Sequence, residues 1–272
     1  MRVGGLPLHV LSEGDGPVVV LSAGLGMAWF DWDAVAALLV PHRTVVRFDR
    51  PGLGLSAPSA APPDLVDEAD RIAGLLDALG HRAPATVVGH SMAGFHVEAF
   101  ARLHPDRCDG LVLVDGSVEE DPGPGCRARS ARPGRAGRPV CSPPPGCRTS
   151  SARRAPPAHP RRDGGPPRHR GLGAGRLPHQ PGAAGLRPGE RRLPYQAADL
   201  AELRRHRPLP AVPVTVLAAY DGSESPRQLR WLARQRALAA ELGGRCTLAA
   251  PAGHLVMADA PEAVARAVLE LR

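Results

Sequence analysis

The chain has 272 residues and a formal net charge of +7, built from 34 Arg, no Lys and 27 acids. That charge is uneven: residues 122–193 hold 16 Arg against two acids, Asp163 and Glu190, while the other 200 residues carry a net −7. The body is therefore mildly acidic, and no nucleic-acid partner is expected for it. No run of 18 apolar residues occurs, so no helical membrane span is expected. Residues 1–10 lack a basic stretch leading into a long apolar one, so no signal peptide is expected and a cytoplasmic location is. Of the five cysteines, Cys126, Cys141 and Cys147 lie in the basic stretch. Their spacing fits no zinc pattern, so free thiols and no metal are expected.

In chain order, residues 6–11 read as an antiparallel edge strand. Residues 17–22 (PVVVLS) form a Val-rich run next to Gly16, as in a strand buried on both faces. Residues 30–40 read as a helix, with Asp31 and Asp33 suited to its positive N-terminal end. Residues 43–48 (RTVVRF) follow as a strand. Residues 64–79 carry apolar side chains at 65, 66, 69, 72, 75, 76 and 79, a helical period closed by Gly80. Then come a strand at 85–89, a helix at 92–103 stopped by His104-Pro105, and a strand at 111–114 (LVLV). Alternation resumes with a helix at 195–205, a strand at 212–218, a helix at 227–242, a strand at 246–250 and a helix at 261–271. This order implies an α/β fold with a doubly wound, mostly parallel sheet.

The stretch between breaks the pattern. Residues 122–193 contain 15 Pro and 13 Gly, and their only large apolar residues are Val140, Leu172, Leu177, Leu186 and Leu193. Such a segment cannot bury enough apolar surface to offset about 1–2 kcal/mol per residue of backbone ordering. The chain is thus expected to divide into a core part at 1–118, a disordered insert at 119–193 and a second core part at 194–272.

One motif carries chemistry. Gly89-His90-Ser91-Met92-Ala93-Gly94 joins a strand to a helix through a sharp turn. Small residues two before and two after the serine let strand and helix approach. The hydroxyl then projects at the carboxyl end of the sheet, beside a helix N-terminus.

With its surroundings, this motif resembles the α/β-hydrolase family. Leu21-Ser22-Ala23-Gly24-Leu25-Gly26 stands where that family has a His-Gly loop, with Ala23 in place of the His. Asp49-Arg50-Pro51-Gly52-Leu53-Gly54-Leu55-Ser56 resembles its Gly-rich turn, and Gly253-His254 its closing His motif. The likeness covers residues 6–118 and 195–272. It implies a cofactor-free serine hydrolase acting on a small-molecule ester or related acyl substrate through an acyl-enzyme. Ser91 would be the nucleophile, His254 the general base and Asp221 the acid, with Asp115 as the alternative acid. The backbone N–H groups of Leu25 and Met92 would form the oxyanion hole. Asp49 and Arg50 read as braces for their turn, and His90 and His96 as packing or solvent-facing residues.

In such proteins the position of residues 119–193 usually holds a helical cap. Two readings of the insert are open. It is a basic flexible arm on a catalytically impaired hydrolase-like protein, suited to anionic partners. Or it is a cap read out of frame, since GC-rich codons then yield Arg, Pro, Gly and Ala. Missing aromatics and a missing core pattern favour the second. The coding DNA across 122–193, translated in its other frames, is expected to reveal amphipathic helices; no such pattern in either frame leaves the arm.

Overall fold

The computed structural model describes residues 1–59, 64–118 and 193–271. The expected insert and its expected lack of order lie outside these residues, apart from Leu193. Strands β1 (Arg2–Val3) and β2 (Leu6–Pro7) form a small hairpin. Its turn is Gly4-Gly5, with φ of 56° and 82°, the doubly positive backbone that a tight two-residue hairpin requires.

The main sheet has seven strands: β3 (Val10–Glu13), β4 (Val18–Ser22), β5 (Thr44–Phe48), β6 (Ala85–His90), β7 (Cys108–Val114), β8 (Val214–Ala219) and β9 (Arg245–Ala249). Their order is β3-β5-β4-β6-β7-β8-β9. Only β3 runs antiparallel, pairing Val10 with Phe48 and Glu13 with Val45. The edge strand therefore begins at Val10, later than the expected 6–11. The Gly4-Gly5 turn folds Leu6–Pro7 back onto β1, and Arg47 of β5 ion-pairs with Glu13 at the end of β3.

Helices α1 (Asp33–Leu39), α2 (Leu65–Ala78), α3 (Ala93–Leu103), α4 (Leu193–His206), α5 (Pro226–Glu241), α6 (Val256–Asp259) and α7 (Pro261–Leu269) cover both faces. Side chains alternate across each strand, so neighbouring residues enter different cores. Val18, Val20, Val46, Val87, Leu111 and Val216 pack with α2, α3, α4 and α5. Val19, Leu21, Val45, Val88, Val112 and Leu217 pack with α1, α6 and α7. This is why the strands read as unbroken apolar runs. The helix expected at 30–40 is split: a 3-10 turn at Trp29–Trp32 precedes α1 and buries Trp32 completely. The start of α5 is set by Ser225, whose hydroxyl accepts the Gln228 N–H.

The Gly-rich turn after β5 is organised by one buried carboxylate. Asp49 Oδ1 accepts the Trp29 N–H and Oδ2 the Leu55 N–H, both at 2.9 Å. Gly54 lies so close that a Cβ there would stand 2.2 Å from Asp49 Oδ2. Asp49→Ala strands two backbone donors and is expected to lower unfolding stability by about 2–3 kcal/mol in urea titration.

Candidate active site

Ser91 follows β6 directly and adopts φ 53°, the left-handed region that a non-Gly residue rarely enters. Its N–H donates to Val114 O at 3.1 Å, and its C=O accepts from Gly94 N at 3.0 Å and Ser117 N at 3.1 Å. The turn is therefore pinned to the end of β7. Its tightness explains the small flanking residues: a Cβ at Gly89 would meet Ala93 O at 2.5 Å and Val97 Cγ2 at 2.6 Å. Met92 caps α3, so its N–H is among the donors a helix N-terminus leaves without an intrahelical acceptor.

His254, on the loop between β9 and α6, places Nε2 3.0 Å from Ser91 Oγ. Its Nδ1 lies 2.6 Å from Asp115 Oδ2. A carboxylate only accepts, so Nδ1 carries the proton and Nε2 presents its lone pair to the serine hydroxyl. Asp115 is 3% exposed and His254 53% exposed. Asp115 follows β7 as Ser91 follows β6, and the register pairs His90 with Val114. The two residues thus leave adjacent strands at the same level, and Asp115 is also left-handed, with φ 44°.

The expectation that Asp221 is the partner of His254 is corrected. Asp221 lies beyond β8, one strand further from Ser91, and is exposed. Its Oδ1 accepts the Ser223 N–H at 2.8 Å, a local turn bond that holds the carboxylate below its usual range. The alternative, Asp115, occupies the position. Chain order cannot separate the two, since both acids lie between the serine and the histidine.

Sequence reasoning missed several contacts. Helix α5 presents Gln228, Trp231 and Gln235 on one face to the Asp115 loop and the neighbouring end of β8. Trp231 Nε1 donates to Asp115 Oδ1 at 2.6 Å, Gln228 to Ala219 O at 2.8 Å and Gln235 to Gly116 O at 2.7 Å. The Ala219 N–H also donates to Asp115 Oδ1, at 2.9 Å. Their spacing of three and four residues on a helix was the only signal in the sequence. Arg50, buried, does more than brace its own turn: Nη2 donates to Gly24 O at 2.6 Å. The Gly24–Leu25 peptide is thereby held by its carbonyl, and in a trans peptide the Leu25 N–H points the opposite way.

His90 is also part of the site. Its Nε2–H donates to His254 O at 2.8 Å, and the two rings lie 4.7 Å apart. Burial and the neighbouring His254 lower its pKa to about 4, so it is neutral at pH 7. Among the described residues, no group of three or more His, Cys, Asp or Glu is arranged to hold a metal ion. Nor is any helix among them long and apolar enough to cross a membrane.

A model of the alpha/beta hydrolase family matches residues 18–267. The chain belongs to the alpha/beta hydrolase family. Among curated relatives in this family, "Putative carbamate hydrolase RutD" of Caulobacter sp. (strain K31) is 41% identical over 116 residues. That alignment covers 42% of this chain and 43% of the relative. The protein of the same name from Pantoea ananatis is 37% identical over 103 residues, 38% of this chain and 37% of that one. The matched stretch thus spans about two fifths of the length of these relatives. The family fold is shared with two solved structures. A thermophilic esterase from Thermogutta terrifontis has a TM-score of 0.58 at 20% identity, covering 97% of this chain and 92% of that one. The enol-lactonase from Burkholderia xenovorans has a TM-score of 0.61 at 21% identity, covering 99% and 97%.

A second buried imidazole, His96 of α3, donates Nε2–H to Gln196 Oε1 at 3.2 Å. Burial first, then the charges of Arg50 and Arg71, lower its pKa to about 3. Both folded values, His90 and His96, lie below the 6.5 of a free imidazole. Below pH 6.5 the unfolded chain therefore takes up protons that the folded chain refuses. Stability is expected to fall as pH drops from about 6.5 towards 3 to 4, and Tm measured against pH should fall less steeply in His96→Gln.

Proposed function

We propose that the chain is a serine hydrolase that cleaves an ester or related acyl substrate through an acyl-enzyme on Ser91, with no cofactor. The observation that carries this is the continuous hydrogen-bonded line from Ser91 Oγ through His254 to Asp115, at 3.0 and 2.6 Å. Ser91 Oγ attacks the acyl carbon while its proton passes to His254 Nε2. Asp115 holds Nδ1–H and stabilises the imidazolium. The N–H groups of Met92 and Leu25 receive the developing oxyanion, and donors of this kind contribute about 10²–10³ in rate each. When the intermediate collapses, the bond to the leaving group breaks and Nε2 returns the proton to that group. Water then repeats the sequence and frees Ser91.

The names of the relatives support this substrate class. A carbamate hydrolase, an esterase and an enol-lactonase each act on a carbonyl bonded to a heteroatom. A cytoplasmic location belongs to the same reading.

A fluorophosphonate probe is expected to label the wild type and not Ser91→Ala. With p-nitrophenyl acetate, Asp115→Asn should lose about 10³–10⁴ in kcat, whereas Asp221→Asn should stay within about twofold because its carboxylate serves only a local turn. A folded wild type that is not labelled refutes the reading.

A further inference from the structure

The acid of this site is served by a side chain that the reaction itself does not use. Asp115 Oδ2 faces His254, and Oδ1 accepts two hydrogen bonds, from the Ala219 N–H and from the indole of Trp231. The Ala219 donor belongs to β8 and is fixed by the sheet. The Trp231 donor comes from α5 and arrives with Gln228 and Gln235, which fasten the same helix face to Ala219 O and Gly116 O. Three successive helix positions on one face thus bond the strand ends that flank the acid.

We propose that Trp231 is a positioning residue for the reaction, its indole N–H fixing the orientation of the Asp115 carboxylate and lowering that carboxylate's pull on the His254 proton. This rests on the serine-hydrolase reading above. Each hydrogen bond donated to an ionised carboxylate stabilises the charge and lowers its basicity. With Oδ1 saturated, Asp115 orients the imidazole yet holds the imidazolium less tightly. Without the indole donor the carboxylate is more basic, so the imidazolium keeps its proton to higher pH. A purely structural role for Trp231 would scale the rate equally at every pH.

The other titratable groups around the pair leave this assignment separable. His90 of β6 bonds His254 O and, with a pKa of about 4, stays neutral above pH 5. Asp259 of α6 accepts the Gly253 N–H at 2.8 Å, a bond directed at the loop backbone and not at the His254 ring. From α5, Trp231 donates to Asp115 Oδ1, and the neutral amides of Gln235 and Gln228 donate to Gly116 O and Ala219 O. From β8, the Ala219 donor is a backbone amide.

The test is the second-order rate of Ser91 labelling by a fluorophosphonate probe between pH 5 and 9, in the wild type and Trp231→Phe. A second variant replaces Trp231 with benzothienylalanine, which keeps the ring shape and puts sulfur where the N–H was, so that packing is retained. Both variants are expected to shift the acid limb upward by about half a unit to one unit. They should label about three- to tenfold more slowly at pH 6 and recover towards the wild-type rate at pH 9. An unshifted limb, or a loss uniform across pH, in the benzothienylalanine variant overturns the proposal and leaves the hydrolase reading intact. A wild type without labelling overturns both.

Discussion

The site depends on one strained turn, the left-handed backbone at Ser91. An L-residue in that region costs roughly 1–2 kcal/mol, and the surrounding bonds have to hold it there. They come from the neighbouring strand: Val114 O receives the Ser91 N–H, and Ser117 N returns a bond to Ser91 O. The proposed nucleophile is thus clamped by the end of β7 and the loop after it before any contact with α3 is counted. The clamp also sets what can flank it. Gly89 has no room for a Cβ because the first turn of α3 passes directly over it, and Ala93 is the small residue on the helix side.

The same strand pair sets the proposed acid, Asp115. Adjacent parallel strands lie about 4.8 Å apart, and β6 and β7 end at the same register level. Ser91 and Asp115 therefore leave the sheet side by side, both left-handed. A histidine arriving from the β9 loop can bridge the two. Asp221, after β8, is instead exposed and accepts the Ser223 N–H of its own turn.

How much of this was legible in the sequence depends on the range of the interaction. The buried strands were legible because two-sided burial writes itself as runs such as VVVLS and LVLV. Ser91 was legible because its turn demands small residues at fixed offsets, and His254 because of the Gly before it and the helix after it. The acid was not, since LVLVDGS and the Asp221-Gly222 pair both read as a strand followed by an Asp-Gly turn. What separates them is the face of α5 that Trp231 presents, more than a hundred residues along the chain from Asp115. The same holds for Arg50 on Gly24 O and His90 on His254 O. Each looks local in sequence, as a turn residue or a residue beside the serine, yet acts on a different loop. The edge strand was misplaced for the opposite reason: a strictly local device, the Gly4-Gly5 turn, took Leu6–Pro7 out of the sheet.

Burial is divided within the hydrogen-bonded line in a way that fits its chemistry. Asp115, whose charge does not change in the proposed reaction, is 3% exposed and has both oxygens engaged. His254, which in the proposed reaction gains and loses a proton at Nε2, is 53% exposed. A carboxylate at that depth is tolerable only because donors are aimed at both of its oxygens. Those donors come from the sheet, from α5 and from the imidazole itself. The sheet places Asp115, α5 satisfies it, and His254 is left as the exposed member of the line, facing Ser91 Oγ.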